Sequence, residues 1–191
     1  MGPVEIILII LGSILVIYLA LVTVDLSFFF SFNTYFKKHK KGLEVVLNMK
    51  LENLKRIVDI FKTNKISVSP ELKQKLDSIN PTIFGDIESD ECKQARESLS
   101  FIRDELFFTA TKNEHILVNE EYLLAKENIL EQDIVFRKYL AMYNADVLGY
   151  NYWSNFKPAR YIFLIFKVKE KEIIWYEKET SNSMYHGWLW N

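Results

Sequence analysis

The sequence predicts an all-α protein: one N-terminal single-pass transmembrane helix, an antiparallel bundle of about three long helices, and a short, irregular, aromatic-rich C-terminal tail. Three observations favour this fold. The 19 residues from Ile6 to Val24 carry no charge, apolar side chains recur at helical spacing from residue 43 to residue 153, and no glycine-rich linker interrupts the chain. The length of 191 residues is that of one domain.

The uncharged run, bounded by Glu5 and Asp25, has the length of a membrane span. At about 1.5 Å per residue it covers roughly 28 Å, close to the hydrocarbon thickness of a bilayer. We therefore predict a transmembrane helix through Ile6, Leu15 and Val24.

Two other interpretations of this run are less favourable. A secretory signal peptide would begin with basic residues and end at a small-residue cleavage site, whereas residues 2–5 contain no Lys or Arg and no Ala-x-Ala follows the run. A buried helix of a soluble bundle would need partner surface on every side.

A basic cluster, Lys37-Lys38-His39-Lys40-Lys41, follows the apolar segment. The positive-inside rule places it in the cytoplasm, with the N-terminus outside. Residues 43–191 contain 20 basic and 23 acidic side chains. Their net charge of −3 argues against nucleic-acid binding. The predicted divisions are 1–36 (anchor and interfacial flank), 37–42 (basic segment), 43–160 (bundle) and 161–191 (tail).

The first two bundle helices are predicted from apolar seams at helical spacing. The seam residues are Leu47, Leu51, Leu54, Val58 and Phe61 in the first helix, and Cys92, Ala95, Leu99, Ile102 and Leu106 in the second. Between them, Ser69 and Pro70 are typical of the start of a short helix, and Asn80-Pro81 of its end. A turn is predicted over residues 113–119, with the alternative that Leu117 and Val118 continue the helical pattern without interruption.

The longest periodic stretch, residues 119–153, has two adjoining apolar stripes that together predict one wide buried face. One stripe consists of Leu123, Leu130, Ile134, Ala141 and Leu148, and the other of Ile129, Phe136, Leu140, Tyr143, Val147 and Tyr150.

A motif of two Tyr-Asn pairs one heptad apart lies in this stretch: Tyr143-Asn144-x-x-Val147-x-x-Tyr150-Asn151. The spacing puts both tyrosines on one side of a helix, with Val147 between them, and both asparagines on a neighbouring side. We favour a structural role in packing and register over a ligand site, because no ionisable group accompanies the asparagines.

Residues 137–166, with this motif followed by Phe156-x-Pro158, Ala159 and an aromatic-rich segment, resemble the C-terminal signature of the LemA family. Lys157 separates Phe156 from Pro158, whereas the family usually has Phe directly before Pro. The resemblance implies an N-terminal membrane helix joined to a helical bundle at a bacterial plasma (inner) membrane. The family's molecular activity is not established, and the resemblance implies no catalytic residue.

No residue pattern indicates catalysis, a cofactor or a metal. The histidines, His39, His115 and His186, are far apart and lack ligand partners at helical spacing. No glycine-rich phosphate loop is present, and a single cysteine, Cys92, excludes an intramolecular disulfide. We therefore expect no enzyme activity and no cofactor.

The function expected from these features is that of a membrane-anchored scaffold or adaptor, with the lipid bilayer and another protein as partners. Two rival hypotheses are a structural homo-oligomer and an envelope- or lipid-acting enzyme that uses exposed carboxylates. The aromatic end of the tail is expected to pack on the bundle, the bilayer interface or a partner; it comprises Met184, Tyr185, Trp188, Leu189 and Trp190.

Overall fold

The computed structural model describes residues 2–174, apart from the side chains of residues 157–159, and that part of the chain is helical without strands, which confirms the predicted all-α class. The helices are α1 (Pro3–Thr63), α2 (Pro70–Ser78), a 3-10 helix (Pro81–Gly85), α3 (Asp90–Thr111), α4 (Glu114–Leu117), α5 (Glu120–Asn155) and α6 (Lys157–Ile165). The aromatic end of the tail, from Met184 to Trp190, lies outside the described residues.

Helix α1 is longer than either helix predicted in its range. Its 61 residues run without a break through the apolar run, the lysine cluster and Gly42. A single glycine inside a helix costs only about 1 kcal/mol relative to alanine, so neither Gly42 nor the lysines need end the helix. Hydroxyl groups within α1 donate back to the carbonyl four residues earlier, as Thr23 does to Leu19 at 2.8 Å.

The chain divides into two compact units, which we call the anchor unit (residues 2–38 with Tyr143–Ile173) and the bundle unit (His39–Met142). In the bundle unit α1 and α5 are antiparallel, because His39 faces Tyr139 while Phe61 faces Tyr122. Helix α3 is also antiparallel to α5, because Arg103 pairs with Asp133 while Phe107, further along α3, lies beside Lys126. Both predicted seams, in α1 and α3, are buried in this core.

The connections follow local capping chemistry. Helix α2 begins at Pro70 with Ser69 at the N-cap, as predicted, although the Ser69 side chain makes no capping bond. Asn80 Oδ1 accepts from Thr82 N, and Ser89 Oγ accepts from Cys92 N at the start of α3. The predicted turn over residues 113–119 contains the short helix α4.

The prediction of one wide buried face on α5 is wrong for one of its two stripes. All six residues of the Ile129 stripe are buried, whereas Leu123, Leu130 and Ile134 are 44%, 47% and 67% exposed, Ala141 is exposed and Leu148 is half-buried. A helix rotates about 100° per residue, so Ile134 lies about half a turn away from Ala125, which is fully buried. The Leu123 stripe therefore points away from the core.

Candidate functional site

Helix α1 contains, among the described residues, the one stretch that is long and apolar enough to cross a membrane. Ile6, Leu15 and Val24 lie on this stretch, and most of its side chains are exposed. A core helix of a soluble protein would be mostly buried instead. By length and composition, this part of α1 fits the predicted span.

The motif tyrosines pack on α1 inside the anchor unit. The Tyr150 ring lies 4.7 Å from that of Phe29, and the Tyr143 ring lies 5.0 Å from that of Phe36. Both tyrosines and Val147 are buried, and burial raises the pKa of Tyr150. The tyrosines thus occupy one side of α5, as the heptad spacing predicts.

Gly149, between the two motif pairs, allows close approach of α1. A Cβ at this position would lie 2.5 Å from the Phe32 ring, well inside van der Waals contact. The adjacent Phe29 ring packs on Tyr150 and also on Phe163 of α6, at 4.4 Å. These aromatic contacts hold α1, α5 and α6 together in the anchor unit.

The two motif asparagines have different surroundings. Asn144 is buried, whereas Asn151 is half-buried and binds the chain after α6: its Nδ2 donates to Lys171 O at 2.8 Å, and its Oδ1 accepts from Lys171 N at 2.9 Å. The amide thereby satisfies both backbone groups of Lys171, as a neighbouring strand would. The Lys171 ammonium lies 4.6 Å from the centre of the Phe36 ring, within cation–π range.

Phe156 and Pro158 form the start of α6. Phe156 occupies the N-cap position and Pro158 lies in the first turn, where a missing N–H breaks no helical hydrogen bond. The helix ends with Lys167 in the left-handed region, at φ 52°, and Val168 N donates to Phe163 O at 3.0 Å. This reversal returns the chain towards Asn151.

A buried ion-pair network in the bundle unit was missed by the sequence reasoning. Lys50 Nζ donates to Asp133 Oδ1 at 2.6 Å, and Arg103 donates to Asp133 Oδ2 at 2.6 Å. Burial lowers the pKa of Lys50, although the bond to Asp133 opposes that shift. The sequence did contain one signal: Lys50 lies three residues after Leu47 and four before Leu54, which places it on the buried face of α1.

The exposed side chains of Leu123, Leu130 and Ile134 form a surface that we call the α5 stripe. They are spaced seven and four residues apart on one face of the helix, in the pattern that partner helices recognise. We take the α5 stripe as the candidate interaction surface.

The described residues contain no group of three or more His, Cys, Asp or Glu side chains that could hold a metal ion. His39 faces Tyr139, His115 lies in α4, and His186 lies outside the described residues. Comparison of the chain with family models, curated proteins and solved structures finds no match.

Proposed function

We propose that the protein is a single-pass membrane protein of the LemA family whose helical domain binds another protein, as a scaffold or adaptor without catalytic activity. In this proposal it lies in a bacterial plasma membrane with its N-terminus outside. The lysines at positions 37, 38, 40 and 41 support this orientation through the positive-inside rule. The Tyr-Asn motif supports the family, whereas Lys157 between Phe156 and Pro158 departs from the family's usual sequence.

The α5 stripe is the observation that carries the proposed binding role. Burying one large apolar side chain contributes about 1.5–3 kcal/mol, so the three residues together would offset part of the entropic cost of association. Attachment to a membrane confines the domain and its partner to one surface, which raises their effective concentration. A modest apolar surface is then sufficient for a stable contact.

Site-specific photo-crosslinking in native membranes tests the binding role. A photoreactive benzoylphenylalanine replaces Ile134 on the stripe or, as a control, Glu52, which is exposed on α1. We expect one discrete crosslinked product from position 134 and none from position 52. The product should disappear with Leu130→Glu and persist with Met49→Glu, because Leu130 and Met49 are both 47% exposed but only Leu130 lies on the stripe.

A crosslink from position 134 that survives Leu130→Glu, or no product above the level at position 52, would contradict the proposed binding role. A product consisting of two copies of the chain would identify the partner as the protein itself and support the homo-oligomer. The orientation has a separate test, in which Ala145→Cys in a Cys92→Ala chain should react with a membrane-impermeant maleimide only after cells are permeabilised.

A further inference from the structure

Helix α6 is held against α1 just beyond the uncharged run. The Phe163 ring lies 4.4 Å from the Phe29 ring, and Phe29 follows Val24 by five residues, about 7.5 Å along the helix axis. The headgroup region extends a bilayer by roughly 5–7 Å on each side of its hydrocarbon core. With Ile6 to Val24 spanning that core, α6 lies at the level of the headgroups.

The outward surface of α6 is apolar. Tyr161, Leu164 and Ile165, together with Phe166 after the last turn, are between 60% and 76% exposed, while Phe163 faces the aromatic cluster. Four exposed large apolar or aromatic side chains within six residues are unfavourable in water. They are favourable at a membrane interface, where interfacial helices bury apolar side chains at the boundary of headgroups and acyl chains.

The segment that carries this surface is basic. From Phe156 to Lys169 the sequence contains four basic residues and no acidic one, and Arg160, Lys167 and Lys169 are exposed. A basic side chain near an anionic bilayer contributes about 1 kcal/mol of attraction. The charge therefore favours a lipid surface with anionic headgroups as the occupant.

Aromatic residues of the neighbouring helices lie at the same end of the anchor unit. The Phe28 and Trp153 rings stack at 4.7 Å, and Tyr152 is exposed beside Trp153. Trp and Tyr are enriched where membrane helices leave the hydrocarbon core. Phe28 of α1 and Tyr152 of α5 are exposed, so aromatic surface at this end of the anchor unit is found on α1 and α5 as well as on α6.

We propose that α6 and Phe166 insert into the headgroup boundary of an anionic bilayer and form a second membrane contact beside α1. This contact rests on the proposed membrane span of α1 but not on its orientation. With α6 in the headgroup boundary, the end of α5 and the chain reversal at Lys167 also lie at the membrane surface.

Depth measurement on the full-length chain tests this contact. In a Cys92→Ala chain, a nitroxide spin label is attached to a single cysteine at Ile165, Leu164, Leu15 or Ala145, and the protein is reconstituted in phosphatidylcholine vesicles containing phosphatidylglycerol. Oxygen concentrates in the membrane, whereas a water-soluble nickel chelate does not. The ratio of label accessibility to these two reagents therefore reports depth, and circular dichroism checks that each labelled chain is folded.

Leu15 is the reference for the span, and Ala145 is the matched exposed position in the anchor unit. Ala145 lies between Tyr143, which faces Phe36, and Tyr150, which faces Phe29, so it is about 15 Å beyond Val24. We expect the oxygen-to-nickel ratio at positions 164 and 165 to be several-fold above that at position 145 and below that at position 15.

Equal ratios at positions 165 and 145, with a deep label at position 15, would overturn the α6 contact while leaving the span intact. A label at position 165 that is immobilised and shielded from both reagents would also overturn it, because protein would then cover this surface. A shallow label at position 15 would overturn the span itself, and the α6 contact with it.

Discussion

The buried ion pair between Lys50 and Asp133 is expected to contribute strongly to the stability of the bundle unit. Asp133 accepts hydrogen bonds from both Lys50 and Arg103, so Asp133→Ala removes the counterion of a buried ammonium group. Breaking such a pair by deleting one partner costs about 3–5 kcal/mol. We expect Asp133→Ala to lower the free energy of unfolding by that amount.

The magnitude follows from burial rather than from distance. The side chains of Lys50 and Asp133 are 7% and 6% exposed and 2.6 Å apart. Lys41 and Glu44 are also 2.6 Å apart, but the Lys41 side chain is 67% exposed. Exposed pairs contribute about 0–1 kcal/mol, so Glu44→Gln is the matched control and should change stability by no more than that.

Urea unfolding in detergent micelles, followed by circular dichroism at helical wavelengths, measures both variants. A third variant, with Lys50→Met and Asp133→Leu together, separates the loss of the pair from the burial of an uncompensated charge. It should be more stable than Asp133→Ala, because Arg103 still pairs with Asp104 and no isolated ammonium group remains in the core. The reasoning is refuted if Asp133→Ala costs no more than Glu44→Gln, or if the double variant is the less stable of the two.

Three further predictions concern single side chains. Burial lowers the pKa of Lys50 below its ordinary value of 10.5, so between the folded and the unfolded pKa the unfolded chain binds more protons at Lys50 than the folded chain does. The free energy of unfolding of the wild type should therefore rise relative to that of Lys50→Met as the pH increases through this window. A difference in urea midpoints that does not change with pH would contradict the lowered pKa. Gly149→Ala should lower the free energy of unfolding by up to about 2 kcal/mol, because the cost of overpacking against Phe32 exceeds the gain in helix propensity. Phe32→Leu in the Gly149→Ala chain should restore that free energy, and additive effects of the two substitutions would contradict the contact. Asn151→Ala should speed amide hydrogen exchange at Lys171 with little effect on the core of α5, whereas unchanged exchange would show that the Asn151 amide does not hold this segment.

Periodicity and capping residues were sufficient to predict most of the helices. The seam from Leu47 to Phe61 is buried, and Pro70 begins a helix, because both depend on local spacing and backbone geometry. The predicted division between residues 42 and 43 does not interrupt the helix, since one glycine is a weak signal inside a long helix. The Leu123 stripe was predicted to be buried because a sequence shows which residues share a face but not how many neighbours cover it.

The candidate site depended more strongly on contacts between distant residues. The motif spacing predicts that Tyr143 and Tyr150 share a side of α5, but it cannot identify Phe36 and Phe29 as the residues they contact. Asn151 pairs with a backbone twenty positions later, and no property of Lys171 in the sequence marks it as the partner. The contact between Asn151 and Lys171 depends on the reversal of the chain after α6. At this reversal Lys167, rather than a glycine, adopts the left-handed conformation, so the sequence carries no glycine signal for it.

The contact between Phe29 and Phe163 has a consequence for the synthesis of the protein. The two rings are roughly 130 residues apart in the chain, and synthesis proceeds at about 5–20 residues per second. Phe29 is therefore complete on the order of ten seconds before its partner in α6 exists. During this interval neither Tyr150 nor Phe163 can cover the Phe29 ring, so the part of α1 around Phe29 needs a lipid or chaperone environment until α5 and α6 have been made.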